Sequence, residues 1–292
     1  MIARASMLLI VLWGLATPAV ARAASGQDQG SRTSIEMPAP GKTQELTLRD
    51  GSRLFGRVIV IEPELIVFRT VGGVDVSVLR TDIAALRIVA GRLIKGMFVP
   101  ADPNATRLFF GPTARSLERG QGYVAMYEFV MPFVQVGLTD RVSVGAGTPL
   151  IFGGGGNHPF WVTPKVQVYD APRTKVAVGL LHLFVAGDEQ VGIAYGVATL
   201  GSADSAATVG AGYAYETADD AGTPVVMVGG ERRVHRRLKL VTENYLWPGA
   251  TGLLSGGVRF IGDRLSADLG LVMPLGADDL IAFPVVNFVW AF

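Results

Sequence analysis

Histidine and serine are the residues from which this chain could build a nucleophilic site, since it contains no cysteine. On a β-strand, residues two apart point to the same face, so a His-x-Ser pair would set a general base beside its nucleophile. The three histidines lie in His158-Pro159-Phe160, His182-Leu183-Phe184 and His235-Arg236-Arg237, and none of them supplies the serine. No catalytic residue is assigned and no enzymatic activity is expected. The run Gly153 to Gly156 with Asn157 has the glycines of a phosphate loop, but neither a Lys-Ser or Lys-Thr nor a helix follows it, and it reads as a loop. Without cysteine there is no disulfide and no thiolate metal centre, and neither a metal nor a cofactor is expected. The acidic pairs Asp219-Asp220 and Asp278-Asp279 read as turn residues that contact, at most, divalent cations.

The remaining charges are informative through their spacing. In "RLSADLGLVM" one face carries Leu265, Ala267, Leu269, Leu271 and Met273, and the other Arg264, Ser266, Asp268 and Gly270. The same split sets Leu254, Val258 and Phe260 against Ser255, Gly257 and Arg259, and Leu238 and Leu240 against Lys239 and Glu243. Such strands fit a cylinder with lipid outside, where a basic side chain at mid-membrane depth costs ~2–4 kcal/mol and is therefore turned inward. The expected lumen set is Arg107, Glu128, Lys165, Glu231, Arg233, Lys239, Glu243, Arg259 and Asp268. Its signs are nearly balanced, so the charges either pair into a salt-bridged filling or form a charged constriction that selects what passes. "KVAVGLLHLFVA" is apolar on both faces, which leaves the direction of His182 open. The densest cluster, "ERRVHRRLK", surrounds an expected turn at which Arg236 and Arg237 are candidates for contact with lipid phosphates.

The elements that position these residues follow from composition and punctuation. The chain is 49% hydrophobic and 17% charged, with mean hydropathy +0.37, yet beyond residue 23 no stretch approaches the ~20 apolar residues of a spanning helix. A net charge of +1 gives no broad attraction to nucleic acid. Arg4, the apolar run Met7 to Leu15 and Ala21-Arg22-Ala23 read as a signal peptide over 1–23, and 24–42 as a flexible leader. Short β-runs separated by Asp50-Gly51 and Gly72-Gly73 predict a small five-stranded domain over 43–91. Residues 92–106, with Pro100 and Pro103, read as a linker. From 107 to 292, runs of about ten residues alternate with turns and predict about twelve antiparallel strands. The first is "TRLFFGPTARS"; the second, "GYVAMYEFVMPFVQVGL", is overlong, with Pro132 as its expected break. Tyr213, Tyr215, Trp161, Trp247 and Trp290 fall near strand ends, where interfacial girdles belong.

The final "NFVWAF", with Phe288, Trp290 and Phe292 on one face, resembles the terminal signature by which outer-membrane barrels are recognised for assembly. The chain as a whole resembles a porin-like bacterial outer-membrane β-barrel, and "RDGSRLFGRV" resembles Sm-like and SH3-like small barrels. The resemblance implies an all-β protein: a transmembrane barrel of about 12 strands in the outer membrane, preceded by a small β-domain in the periplasm. It implies outer-membrane lipids including lipopolysaccharide, the β-barrel assembly machinery and periplasmic chaperones as partners, a periplasmic protein partner for the small domain, and no nucleic acid. The expected function is a narrow pore or facilitator for small polar solutes. The alternatives are a non-conducting structural or adaptor barrel, an outer-membrane lipid hydrolase, and a soluble sandwich.

Overall fold

A computed structural model describes residues 43–292 apart from 95–96, 151–157, 186–189, 217–218, 250 and 277–280. The expected signal peptide, the leader, the Gly153 to Asn157 loop and Asp278-Asp279 lie outside the described residues, as do the side chains of Asp219 and Asp220. Strands β1 (Thr43–Leu48), β2 (Arg53–Ile61), β3 (Leu65–Thr70), β4 (Asp75–Leu79) and β5 (Ile83–Val89) form an antiparallel sheet in the order β4-β3-β2-β1-β5. Its turns use the positive φ that glycine accepts, 87° at Gly51 and 85° at Gly73. Leu46, Val58, Ile66, Phe68, Val78 and Ile83 make the core. The buried Glu45 sits between Arg53 and Arg87. On the exposed face, the Arg69 guanidinium hydrogen-bonds the carboxyl of Asp75 across the strands at 2.7 Å and holds it below the ordinary carboxylate range.

The segment expected as a linker is partly ordered into strands: β6 (Gly91–Ile94) and β7 (Met97–Pro100) pair as a hairpin, and the Phe98 ring stacks on Phe55 with centroids 4.5 Å apart. Phe98 and Val99, both buried on β7, give this segment a packing face that Pro100 and Pro103 obscured.

The wall consists of β8 (Gly122–Tyr127), β9 (Met131–Gly137), β10 (Val142–Gly147), β11 (Phe160–Val162), β12 (Lys165–Ala171), β13 (Thr174–Phe184), β14 (Gln190–Gly201), β15 (Ser205–Glu216), β16 (Asp219–His235), β17 (Leu238–Trp247), β18 (Thr251–Ile261), β19 (Leu265–Leu275) and β20 (Phe283–Ala291). β11 and β12 both lie between β10 and β13 and are the halves of one strand broken at Pro164, which has no N–H for the ladder, so the 13 segments close as 12 strands. The count agrees with the sequence, but the membership differs at the start. "TRLFFGPTARS" is not in the wall, which begins at Gly122 rather than Arg107. The overlong run divides at Glu128-Phe129, whose φ angles of 50° and 61° make the hairpin turn ahead of Pro132. One strand is lost and one gained.

β20 pairs with β8 from Asn287↔Tyr127 to Ala291↔Tyr123, which completes the cylinder. Phe292 extends the seam by donating its N–H to the Gly122 carbonyl at 2.9 Å. Deleting Phe292 removes that bond and the ring packed on Gly122, and is expected to lower the folded fraction of the barrel. Heat-modifiable gel migration checks this; wild-type yield would remove the terminal residue from assembly.

The outer face is apolar around the circumference: Val178 is 45% exposed, Leu240 47%, Leu271 52% and Trp290 51%. A continuous apolar band of this kind is what lipid covers. The described residues contain no helix long and apolar enough to cross a membrane.

Candidate functional site

Beyond β7 the chain turns into the barrel, and residues 102–118 occupy the lumen as an irregular hairpin. Thr113 N–H donates to Thr106 O and Leu108 N–H to Gly111 O, both at 2.9 Å, across an isolated Arg107–Pro112 bridge. Leu108, Phe109 and Ala114 are buried, and Leu108 and Phe109 pack on Val241 and Val285 of the wall. The sequence carried a signal for this. Leu108-Phe109-Phe110 is apolar without alternation, and Gly111-Pro112 is a turn pair at the centre of what read as a strand. The tip is seated so closely that a Cβ on Gly111 would lie 2.6 Å from both Met227 Sδ and the Tyr245 hydroxyl.

The hairpin supplies what the wall charges lack. Lys239 and Arg259 are directly opposite each other in register on β17 and β18, two like charges that the wall alone would set face to face. Asp102 of the hairpin bridges them, its Oδ2 2.8 Å from Lys239 Nζ and 3.1 Å from Arg259 Nη1. Asp268, the register partner of Arg259 on β19, lies 2.7 Å from its Nε, and Glu231 lies 2.8 Å from Lys239 and pairs with Arg115. The Arg259 guanidinium also donates to the carbonyls of Asn104, Arg107 and Leu108. Asp102 and Arg115, which tie this network together, were absent from the lumen set because one fell in an apparent linker and the other at the end of an apparent wall strand.

Two further wall groups hold the hairpin through its backbone. Glu243 Oε2 accepts the N–H groups of Phe109, Phe110 and Gly111 at 2.7, 3.0 and 2.9 Å, and its Oε1 accepts the Tyr245 hydroxyl at 2.8 Å. Lys165 Nζ donates to the carbonyls of Thr106, Thr113 and Arg115. Arg107 reaches the lumen from the hairpin rather than from the wall. Its guanidinium lies 4.6 Å from the Phe133 ring centroid and donates to Tyr123, Gln135, Thr163 and the Phe110 carbonyl.

The other sequence candidates lie elsewhere. Glu128 occupies the β8–β9 turn and accepts the Val286 N–H at 3.2 Å, so it does not line the lumen; its positive φ marks the chain reversal that the overlong run concealed. Arg233 is at the rim, paired with Asp204 of the neighbouring turn and donating to Pro100 O. Arg237 pairs with Asp263, and Arg236 is exposed with no ion pair among the described residues. Trp161 turns inward onto the Phe133 ring and is not a girdle residue, because the break at Pro164 sets its face. His182 turns outward, with Nδ1 2.6 Å from the Tyr215 hydroxyl and Nε2 3.0 Å from Gln190 Oε1. Phe288, Trp290 and Phe292 share the outer face of the seam.

Charged and apolar halves divide the lumen. The end nearest the short turns holds the ion-pair network and the hairpin. Beyond the hairpin tip, the inward residues are Leu181, Ile193, Tyr195, Val225, Met227 and Tyr245, which surround a cavity of about 140 Å³.

No protein-family model and no curated protein matches the chain. Among solved structures it is similar to the KdgM porin in complex with disordered oligogalacturonate, at 5% identity over 59% of this chain and 98% of that one, with TM-score 0.46. It is also similar to a loop L8 deletion mutant of OmpT, an outer membrane protein of Vibrio cholerae, at 13% identity over 86% and 96% of the two chains, with TM-score 0.37. The trimer form of that OmpT gives 14% identity, 86% and 95% coverage and TM-score 0.33.

Proposed function

We propose that this chain is a bacterial outer-membrane β-barrel that works as a gated facilitator for small solutes, with residues 102–118 as the gate. The observation that carries the reading is the kind of contact holding the hairpin. A segment present only to fill the cylinder would be held best by apolar side chains, since replacing buried ion pairs with well-packed hydrophobic groups is often neutral or stabilising. Here the wall offers Lys165, Glu231, Lys239, Glu243 and Arg259, and the hairpin answers with Asp102, Arg115 and its own backbone groups. Contacts of this type exchange for water when a segment withdraws, leaving a hydrated, two-signed lumen behind it. Twelve strands lie between the eight of a filled barrel and the sixteen of an open channel, so vacating the hairpin leaves a narrow passage.

The small sheet stands on the periplasmic side in this reading, and its position gives it a role. It is joined to the gate through β6 and β7, and Arg92 pairs with Asp204 on the rim, so displacement of the sheet is passed directly to Asp102. The same connection is what favours the second reading, an adaptor whose sheet takes a periplasmic partner while the plugged barrel anchors it. Outer-membrane lipids surround the wall in both readings, and the exposed Arg236 at the turn end is the candidate for contact with their phosphates.

Planar-bilayer recording separates the two. The wild-type chain is expected to be silent for most of the record. A variant with residues 104–116 replaced by a Gly/Ser linker of equal length is expected to give discrete conductance steps. If that variant folds, by heat-modifiable migration, and yields no steps, the facilitator fails and the adaptor reading stands.

A further inference from the structure

The cavity beyond the hairpin tip is unusual in pairing an apolar wall with a cation that has no counter-ion. Its volume of about 140 Å³ is close to that of an engineered apolar cavity, ~150 Å³, that takes up benzene. Leu181, Ile193, Val225 and Met227 line it from the wall, and Phe110 and Pro112 from the hairpin tip. Arg107 also lines it. Among the described residues Arg107 has no ion pair: its partners are two hydroxyls, an amide oxygen and a carbonyl, all neutral. A guanidinium carries five N–H donors in a planar fork, and these contacts leave one hydrogen on each terminal nitrogen. The neighbouring carboxylate of Glu243 is already taken by three backbone N–H groups and Tyr245. Tyr195, whose ring lies against Gly179 on the cavity wall, makes no hydrogen bond through its hydroxyl among the described residues. A half-buried cation beside an apolar space is completed by an anion carrying an apolar body, because partial burial strengthens a charge-assisted bond and makes an unpaired charge costly.

We propose that this cavity binds a small monocarboxylate with one ring or a short branched alkyl body, its carboxylate held by Arg107 and the Tyr195 hydroxyl. This assigns a substrate class to the gated facilitator and rests on that reading for its transport role. Binding itself is measured without conductance, by titration calorimetry of the purified, folded full chain in detergent. The probes are benzoate and its uncharged analogue benzyl alcohol. Benzoate is expected to bind at least ~10-fold more tightly, the factor one charge-assisted contact supplies. Arg107→Gln should abolish that preference. Because Arg107 also holds the hairpin, Tyr195→Phe serves as the second variant and should weaken benzoate about 3–10-fold while leaving benzyl alcohol unchanged. Benzoate that fails to bind, or binds no better than benzyl alcohol, overturns the site. A full chain that binds benzoate while the gate-replaced variant never conducts keeps the site and loses the facilitator; a full chain that ignores benzoate while the gate-replaced variant conducts loses the site alone.

Discussion

Replacing Arg259 by Met is expected to destabilise the closed barrel by ~3–5 kcal/mol, the usual result of removing one partner from a buried ion pair. Arg259 is fully buried and meets two carboxylates, Asp102 and Asp268, together with three hairpin carbonyls. Methionine fills a similar volume but answers none of them. Asp102 keeps Lys239, whereas Asp268 is left, among the described residues, with the Asn104 amide at 3.3 Å. Lysine is not a substitute, since one ammonium cannot reach the positions served by a planar fork. Urea unfolding in detergent micelles measures the loss, and trypsin cleavage after Arg107 and Arg115 reports whether the hairpin leaves before the wall opens. Adding Asp268→Asn to the Met variant should recover part of the stability by removing the stranded charge. A single variant within about 1 kcal/mol of wild type would show the network to be water-exposed, at surface-pair strength.

What was legible in the sequence and what was not follows from where each residue finds its partners. The segment Leu265 to Met273 reveals its two faces because lipid and lumen impose the same period on consecutive residues, and Leu269 is 48% exposed where Asp268 is 1%. The sign and inward direction of Lys239 and Arg259 follow from that alternation alone. Their register does not, because it depends on the turns joining neighbouring strands, and so the need for Asp102 between them was invisible. The hairpin was hidden for a related reason. Apart from Tyr123 and Gln135 on β8 and β9, its partners come from strands far along the chain, among them β12, β14, β16, β17, β18 and β19, and a stretch satisfied by distant groups carries no local period of its own. Asp102 in particular sits beside Pro100 and Pro103 and looked like linker polarity. The apolar half of the lumen was unreadable too: strands such as β13 are apolar on both faces, so Leu181 and His182 could not be told apart until the pairing of β13 with β14 set which one faces inward.

Glu243→Ala is expected to release the hairpin tip while leaving the ion-pair network near the turns in place. One carboxylate oxygen accepts three consecutive N–H groups, from Phe109, Phe110 and Gly111, and these three donors have no other acceptor among the described contacts. Truncation strands all three donors, at a cost of ~1–3 kcal/mol for each one left buried and unpaired, and water relieves that cost only if the tip moves. Movement is easiest here because the cavity of about 140 Å³ lies directly beyond the tip. The expected readout is brief conductance bursts in planar bilayers and faster amide exchange at Phe109 to Gly111, with Ala114, bonded to Thr199 at 2.9 Å, still protected. Glu243→Gln should have a smaller effect, since its amide oxygen still accepts and only the charge is lost. Tyr245→Phe should have the smallest, because it removes a hydroxyl that hydrogen-bonds the carboxylate but accepts none of the three hairpin N–H groups. The order Ala, Gln, Phe is specific to a carboxylate acting on the tip. If Tyr245→Phe opened the barrel as readily as Glu243→Ala, the latch would belong to the side-chain packing around Met227 and Tyr245, and the three N–H bonds would be incidental to closure.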